Sequence, residues 1–148
     1  MKELRRSALV PQSTAAMYAL VNDIARYPEF VPGCTAAEIL ERLPGELIAR
    51  VGVRRGTLSS EFTTRNVLTP DQSMRMSLVS GPFRHFEGIW NFKPVGTGGC
   101  QIELLLRYDF SNPLKRALLQ PLIGQTADQI VQAFVRRAQQ LGGAPTDT

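Results

Sequence analysis

Side chains able to do acid–base or nucleophilic chemistry are few in this sequence. There is one histidine, His85, and there are two cysteines, Cys34 and Cys100. Alternation over residues 84–94 places His85 on the side opposite Phe86 and Trp90, which predicts a histidine that faces solvent. A zinc site needs more nitrogen or sulfur ligands, and a Cys–His pair needs both side chains on one face of a sheet. The sequence therefore indicates neither a metal centre nor an activated nucleophile.

The glycines and the carboxylates also give no sign of a catalytic site. The run Gly-Thr-Gly-Gly at 96–99 lies between two strand-like segments. A glycine loop that binds phosphate precedes a helix, whose first amide groups hold the anion, so a hairpin turn is the better interpretation here. Glu38, Glu41, Glu87 and Glu103 fall on the polar side of their segments. The sequence therefore favours a protein that is not an enzyme.

The basic residues are the remaining polar feature, and they allow two interpretations. The net charge is +4, and four basic pairs occur: Arg5–Arg6, Arg54–Arg55, Lys115–Arg116 and Arg136–Arg137. No aromatic residues are interleaved with them, as a platform for unstacked bases would require. The pairs are either solvated surface charge or a surface for RNA phosphates, which requires charge more than a motif. Specific DNA recognition is not expected.

Length and composition predict one domain. The chain has 148 residues, of which 43% are hydrophobic and 20% charged, as is typical of globular proteins in water. No apolar run approaches the ~20 residues of a membrane span, and the first residues lack the apolar core of a signal peptide. We expect a single domain over residues 1–141, a flexible tail over 142–148, two free thiols and a cytoplasmic location.

Most of the chain alternates as antiparallel strands do. A strand is predicted at 3–10, followed by a helix from Ser13 to about Tyr27 and a stiff apolar connector at 27–34 with two prolines. Further strands are predicted at 37–41, 46–54, 57–68, 73–80, 84–94 and 100–110. The short turns between them imply antiparallel neighbours, with one polar face towards water.

A long helix over residues 113–141 follows the strands. Its apolar positions recur at steps of three and four, namely Leu119, Ile123, Ala127, Ile130, Phe134, Ala138 and Leu141. Asn112 can cap it, and Pro121 predicts a kink or a break, because proline removes a backbone donor. The sequence therefore predicts an α+β fold, in which a curved antiparallel sheet of about six or seven strands surrounds this helix. Whether a filled core or a cavity lies between them stays open, as does whether the connector is a plug or a gate.

Several stretches together resemble one known family. They are Tyr-Pro-Glu-Phe-Val-Pro-Gly-Cys at 27–34, Phe-Thr-Thr-Arg-Asn at 62–66, Gly-Pro-Phe at 81–83 and Trp-Asn-Phe at 90–92, with Ala-Leu-Val-Pro at 8–11 and Met-Tyr-Ala-Leu-Val-Asn-Asp at 17–23. Over nearly its whole length the chain resembles the bacterial ribosome-association toxin (RatA) family, which belongs with the coenzyme-Q-binding, START-like proteins. The resemblance implies a helix-grip fold with a hydrophobic tunnel between sheet and helix.

The same resemblance implies partners and site residues. The partners would be ubiquinone or a similar isoprenoid or lipid, the large ribosomal subunit, and a membrane surface touched transiently. Some relatives are polyketide cyclases, a chemistry for which this sequence offers no acid or base. The tunnel residues would be Tyr27, Phe30, Val31, Phe62, Thr64, Asn66, Met76, Leu78, Phe83, Phe86, Trp90, Phe92, Leu106, Tyr108, Ile130 and Phe134. Pro121 would separate an entry segment, 113–120, that moves together with the connector at the tunnel mouth.

Overall fold

The computed structural model describes residues 1–142, and the side chains of all of these except 55, 122, 124–128 and 142. Residues 143–148, which make up all but the first residue of the predicted tail, lie outside this range. The elements, in chain order, are β1 (Lys2–Val10), α1 (Thr14–Asn22), a short 3-10 helix (Ile24–Glu29), β2 (Cys34–Leu43), β3 (Glu46–Arg55), β4 (Leu58–Thr69), β5 (Ser73–Ser80), β6 (Phe83–Val95), β7 (Gly99–Phe110) and α2 (Pro113–Gly142).

All seven strands form one antiparallel sheet, which confirms the predicted fold class. The strand order is β1-β7-β6-β5-β4-β3-β2, so β2 to β7 form a meander and β1 pairs with β7. Alternation divides the two faces, as in β7, where Ile102, Leu104 and Tyr108 are buried. On the outer face Arg107 lies between Glu3 of β1 and Glu87 of β6, at 3.5 and 3.1 Å. Opposite charges therefore pair across neighbouring strands on the side that meets water.

The long helix α2 packs against the inner face of the sheet. Leu119, Ile123, Phe134 and Ala138 of the predicted stripe are buried. Leu141, by contrast, is 64% exposed. The predicted stripe is therefore one turn too long, because periodicity shows which side of a helix faces a sheet but not how far the sheet extends beneath it. Asn112 caps the helix as expected, since its Oδ1 accepts a hydrogen bond from the Lys115 amide at 2.8 Å.

Of the kink or break predicted at Pro121, the break is wrong, because α2 runs without interruption from Pro113 to Gly142. Proline at 121 lacks only the amide that would donate to the carbonyl of Ala117. Leu119 and Ile123, on either side of it, are both buried in the core. One missing hydrogen bond is thus offset by packing, and the helix does not divide into the separate entry segment that the sequence suggested.

The first helix is shorter than predicted. Ser13 caps it, because its hydroxyl oxygen accepts a hydrogen bond from the Ala16 amide at 3.1 Å. Asp23 leaves the helical region (φ −83°, ψ 60°), and the chain continues to Glu29 as a 3-10 helix that contains Pro28. The Tyr27 hydroxyl donates to the Val21 carbonyl and folds this segment back on α1. No helix within residues 1–142 is both long and apolar enough to cross a membrane.

Candidate apolar cavity

A cavity of about 120 Å³ lies between the inner face of the sheet and α2. Strands β3 to β7 form its floor, α2 covers it, and the segment from Ile24 to Cys34 closes one side. It is lined by Ile24, Tyr27, Val31, Cys34, Ala49, Val51, Val53, Phe62, Thr64, Asn66, Met74, Met76, Phe86, Trp90, Leu104, Leu106, Ile123, Ile130 and Phe134. The space between sheet and helix is therefore not completely filled by side chains.

Eleven of the sixteen residues that the family resemblance implied line this cavity. They are Tyr27, Val31, Phe62, Thr64, Asn66, Met76, Phe86, Trp90, Leu106, Ile130 and Phe134. The other five do not line it, namely Phe30, Leu78, Phe83, Phe92 and Tyr108. All sixteen lie on the inner side of the molecule, so the difference lies in what each side chain packs against.

Rings that lie away from the cavity pack against other aromatic side chains. Phe92 meets Tyr18 of α1 edge to face, with ring centroids 5.8 Å apart. Phe83 stacks on Phe110 at 5.1 Å, and Tyr108 lies against both of them. These two groups of rings are solid core at opposite ends of β6. Between them Trp90 and Phe86 border the open space.

The connector closes one side of the cavity and is attached to α2. Phe30 lies edge-on to Phe134 at 5.1 Å, and the Arg137 guanidinium lies 5.0 Å from the centre of the Phe30 ring. Arg137 Nη2 also donates to Glu29 Oε1 at 2.7 Å. Phe30 therefore supports the cavity wall from behind rather than lining it. The connector packs as a plug in this structure.

Among the described lining residues, Thr64 and Asn66 bring polar side chains into the wall besides the Tyr27 phenol and the Cys34 thiol. Thr64 and Asn66 lie two residues apart on β4, so both point inward, and they are 5% and 2% exposed. Thr64 Oγ1 donates to Asn66 Oδ1 at 2.7 Å, and Asn66 Nδ2 lies 3.6 Å from the sulfur of Met74. We refer to these two residues as the Thr64–Asn66 pair. It forms a small hydrogen-bonding site in the cavity wall.

The ionisable groups in the wall are held neutral. Burial raises the pKa of the Tyr27 phenol far above its usual range. Burial likewise raises the pKa of the Cys34 thiol, which donates to the Ala36 carbonyl at 3.5 Å. The cavity-lining residues named above include no Lys, Arg, His, Asp or Glu. His85 lies on the outer face, 3.7 Å from Glu87, which confirms its predicted position. The cavity can thus bind by burial and hydrogen bonding but offers no acid or base near neutral pH.

Sequence reasoning missed eight lining residues: Ile24, Cys34, Ala49, Val51, Val53, Met74, Leu104 and Ile123. The usable signal was small inward-facing residues, such as Ala49 and Val51 of β3, which leave room beside large ones. Gly88 of β6 is a second case. A Cβ atom there would lie 2.7 Å from Met76 Cε and 2.8 Å from Leu106 Cδ2, so glycine makes space for two lining side chains.

Comparison with known proteins agrees with this architecture. Residues 10–135 match the family described as polyketide cyclase / dehydrase and lipid transport. The ribosome association toxin RatA of Pseudomonas aeruginosa is 46% identical over 140 residues, which cover 95% of this chain and 97% of that protein. The mitochondrial coenzyme Q-binding protein COQ10 homolog B of Xenopus laevis is 25% identical over 145 residues, covering 95% and 59%.

One solved structure extends the comparison of the fold. The aromatase/cyclase Zhui from a Streptomyces species superimposes with a TM-score of 0.86 at 15% identity, covering 98% of this chain and 99% of that one. At this identity the likeness shows the fold alone. The match over residues 10–135 and the 46% identity decide the classification. The chain belongs to the polyketide cyclase / dehydrase and lipid transport family and, within it, to the RatA proteins.

Proposed function

We propose that this protein associates with the large ribosomal subunit in the cytoplasm and hinders subunit joining, without catalysing a reaction. The observation that carries the proposal is the 46% identity, over 95% of the chain, with a protein named as a ribosome association toxin.

The distribution of charge supports an RNA partner. Strand β1 and helix α2 together carry seven basic and two acidic residues, whereas the whole chain has a net charge of only +4. Because α2 packs against β1, this excess lies on two neighbouring elements, whose exposed surface we call the β1–α2 side. On the rest of the outer sheet, Arg50 and Arg65 pair with Glu38 and Glu46. On the β1–α2 side Arg116 and Arg137 are also paired, with Asp109 and Glu29, but basic residues still outnumber acidic ones there. Phosphates would therefore be attracted mainly to the β1–α2 side.

Sedimentation with purified large subunits at a series of salt concentrations tests this function. We expect co-sedimentation at low salt and a steep loss as salt rises, because each neutralised phosphate releases counterions. Arg5→Glu with Arg136→Glu should abolish it, since both residues are exposed on the β1–α2 side. The matched control is Arg54→Glu with Arg75→Glu, which has the same charge change elsewhere and should retain binding. Absence of the wild-type protein from the subunit fraction at low salt would contradict the proposal.

The cavity favours a second candidate function, binding of a quinone or another lipid. Burying apolar ligand surface would contribute ~25 cal/mol per Å². The coenzyme Q-binding relative is consistent with this candidate. A ligand taken from a bilayer would need brief membrane contact, and Leu114 and Leu118 are 67% and 51% exposed beside Lys115 and Arg116. Apolar and basic residues together suit an anionic lipid surface.

Mass spectrometry of organic extracts of the purified protein tests the second candidate. We expect a co-purifying apolar compound, and we expect Met76→Arg to remove it, because the new side chain would occupy the cavity with a charge. Unchanged co-sedimentation of this variant with large subunits would show that the surface is intact. A wild-type extract free of apolar compounds would count against ligand binding, and the ribosomal function would be unaffected.

A further inference from the structure

The Thr64–Asn66 pair has unused hydrogen-bonding capacity. A carboxamide offers two N–H donors and two oxygen lone pairs, and a hydroxyl oxygen can accept as well as donate. Asn66 receives one bond from Thr64, and its amide nitrogen has only the sulfur of Met74 at 3.6 Å. Among the residues that the structure describes, neither side chain has another partner. Each polar atom of the pair thus has one partner and room for another, and the contact of the amide with sulfur is a weak one. A polar ligand atom beside them would add a hydrogen bond, which is typically worth about 1 kcal/mol.

The size of the cavity limits what can enter. A volume of about 120 Å³ is similar to that of an engineered cavity of ~150 Å³ that binds benzene. One six-membered ring with small substituents fills such a space, whereas a long isoprenoid or acyl chain exceeds it. The rings of Phe62, Phe86, Trp90 and Phe134 surround the space and suit a flat partner.

Charge limits the ligand further. None of the lining residues that the structure describes carries a basic group that could pair with an anion. An isolated carboxylate or phosphate in this apolar space would lose its hydration without compensation. Fatty acids and phosphorylated head groups are therefore excluded from the interior.

We propose that the cavity binds an uncharged, ring-sized ligand bearing a carbonyl or hydroxyl group, and that the Thr64–Asn66 pair hydrogen-bonds this group. The inference rests on the second candidate function above and specifies its ligand. For a quinone, it assigns the ring rather than the tail to the cavity. The Asn66 amide donates to a ligand carbonyl, and the Thr64 or Asn66 oxygen accepts from a ligand hydroxyl.

Three probes of similar shape test the assignment: p-cresol, toluene and benzoate. Their affinities are measured by calorimetry. The only tryptophan, Trp90, is 3% exposed and lines the cavity, so a change in its fluorescence locates the bound ligand. We expect p-cresol to bind about tenfold more tightly than toluene, as one net hydrogen bond implies. Benzoate should not bind.

Two variants distinguish hydrogen bonding by the Thr64–Asn66 pair from simple filling of the cavity. Thr64→Val with Asn66→Leu keeps the approximate shape but removes the polar atoms, so the preference for p-cresol should fall to within about twofold while toluene still binds. Thr63→Val is the matched control, because Thr63 precedes Thr64 on the same strand, is buried and lies outside the cavity lining. It should retain the full preference. If the double variant does not fold, the wild-type comparison of p-cresol with toluene still tests the hydrogen bond.

The outcomes distinguish a failure of the assigned hydrogen bond from a failure of ligand binding itself. Equal binding of p-cresol and toluene by the wild type, or a preference that survives the double substitution, would overturn the hydrogen bond to the Thr64–Asn66 pair. Binding of benzoate would overturn the restriction to uncharged ligands. Both results would leave ligand binding standing. If none of the probes binds but extracts contain a lipid, the size assignment is wrong. If none binds and the extracts are clean, the proposed ligand binding itself fails.

Discussion

Phe134 joins the helix to the connector and to the sheet. Its ring lies edge-on to Tyr27, Phe30 and Trp90, with centroid separations of 5.4, 5.1 and 5.1 Å. Substitution of Phe134 by alanine therefore removes the central ring of a four-ring cluster that holds α2 over the cavity. We predict that this single change lowers stability more than most core substitutions in the protein.

The magnitude follows from burial and packing. Phe134 is 1% exposed, so the variant loses about 2 kcal/mol of transfer free energy for the ring. The vacated space adds a cavity term of up to ~2 kcal/mol. Because Phe134 already borders the cavity on one side, part of its surface makes few contacts, and we expect a total of about 3–4 kcal/mol. For a domain of this size, that lowers Tm by roughly 10 °C.

Urea unfolding followed by far-UV circular dichroism measures this loss without relying on Trp90, whose environment the substitution changes. Val135→Ala is the control, because Val135 is the next residue on α2 and only half-buried. It should cost about 1 kcal/mol. A loss below about 1 kcal/mol for Phe134→Ala would show that α2 is held by other contacts and would refute the account of how the cavity is covered.

Three further predictions concern the helix ends and the buried groups. Folding raises the pKa of Tyr27 and Cys34, so these groups lose their protons at lower pH in the unfolded chain than in the folded one. The free energy of unfolding should therefore fall as pH rises past their ordinary pKa values of 10.0 and 9.0. An unchanged urea midpoint between neutral pH and about pH 10 would contradict this. A double-mutant cycle with Glu29→Gln and Arg137→Met should give about 1 kcal/mol of coupling that weakens in high salt; zero coupling would exclude a stabilising ion pair. Ser13→Ala should cost about 1 kcal/mol of stability in thermal unfolding through loss of the α1 cap, and no change would mean that the capping bond is not formed in solution.

Alternation alone predicted the sheet closely. Strand β5 has the predicted bounds, Ser73–Ser80, and the other strands differ by a few residues at their ends. Prediction from alternation succeeds because one face of this antiparallel sheet is buried. A shift of one residue in the pairing of a strand would turn its apolar side chains to the solvent. In β3, Leu47 and Ala49 show the same alternation, and both are buried.

The position of the cavity could not be predicted in the same way. Trp90 and Phe92 both point inward from β6, yet only Trp90 borders the space, because Tyr18 of α1 covers Phe92. Periodicity assigns a face, whereas a cavity depends on which neighbour lies over each position along the strand. The break expected at Pro121 failed for a similar reason: contacts made in the folded protein outweigh the local preference of one residue.

The pairing of β1 with β7 determines when the β1–α2 side can form during folding. Residues 2–10 find their partners among residues 100–108, so the first strand stays unpaired through the synthesis of the meander. A contact between segments this distant in sequence forms late in folding. The β1–α2 side also requires α2, which follows β7. A chain still being translated therefore lacks the assembled surface that we propose for ribosome binding, and it acquires this surface only after residues 100–142 have emerged.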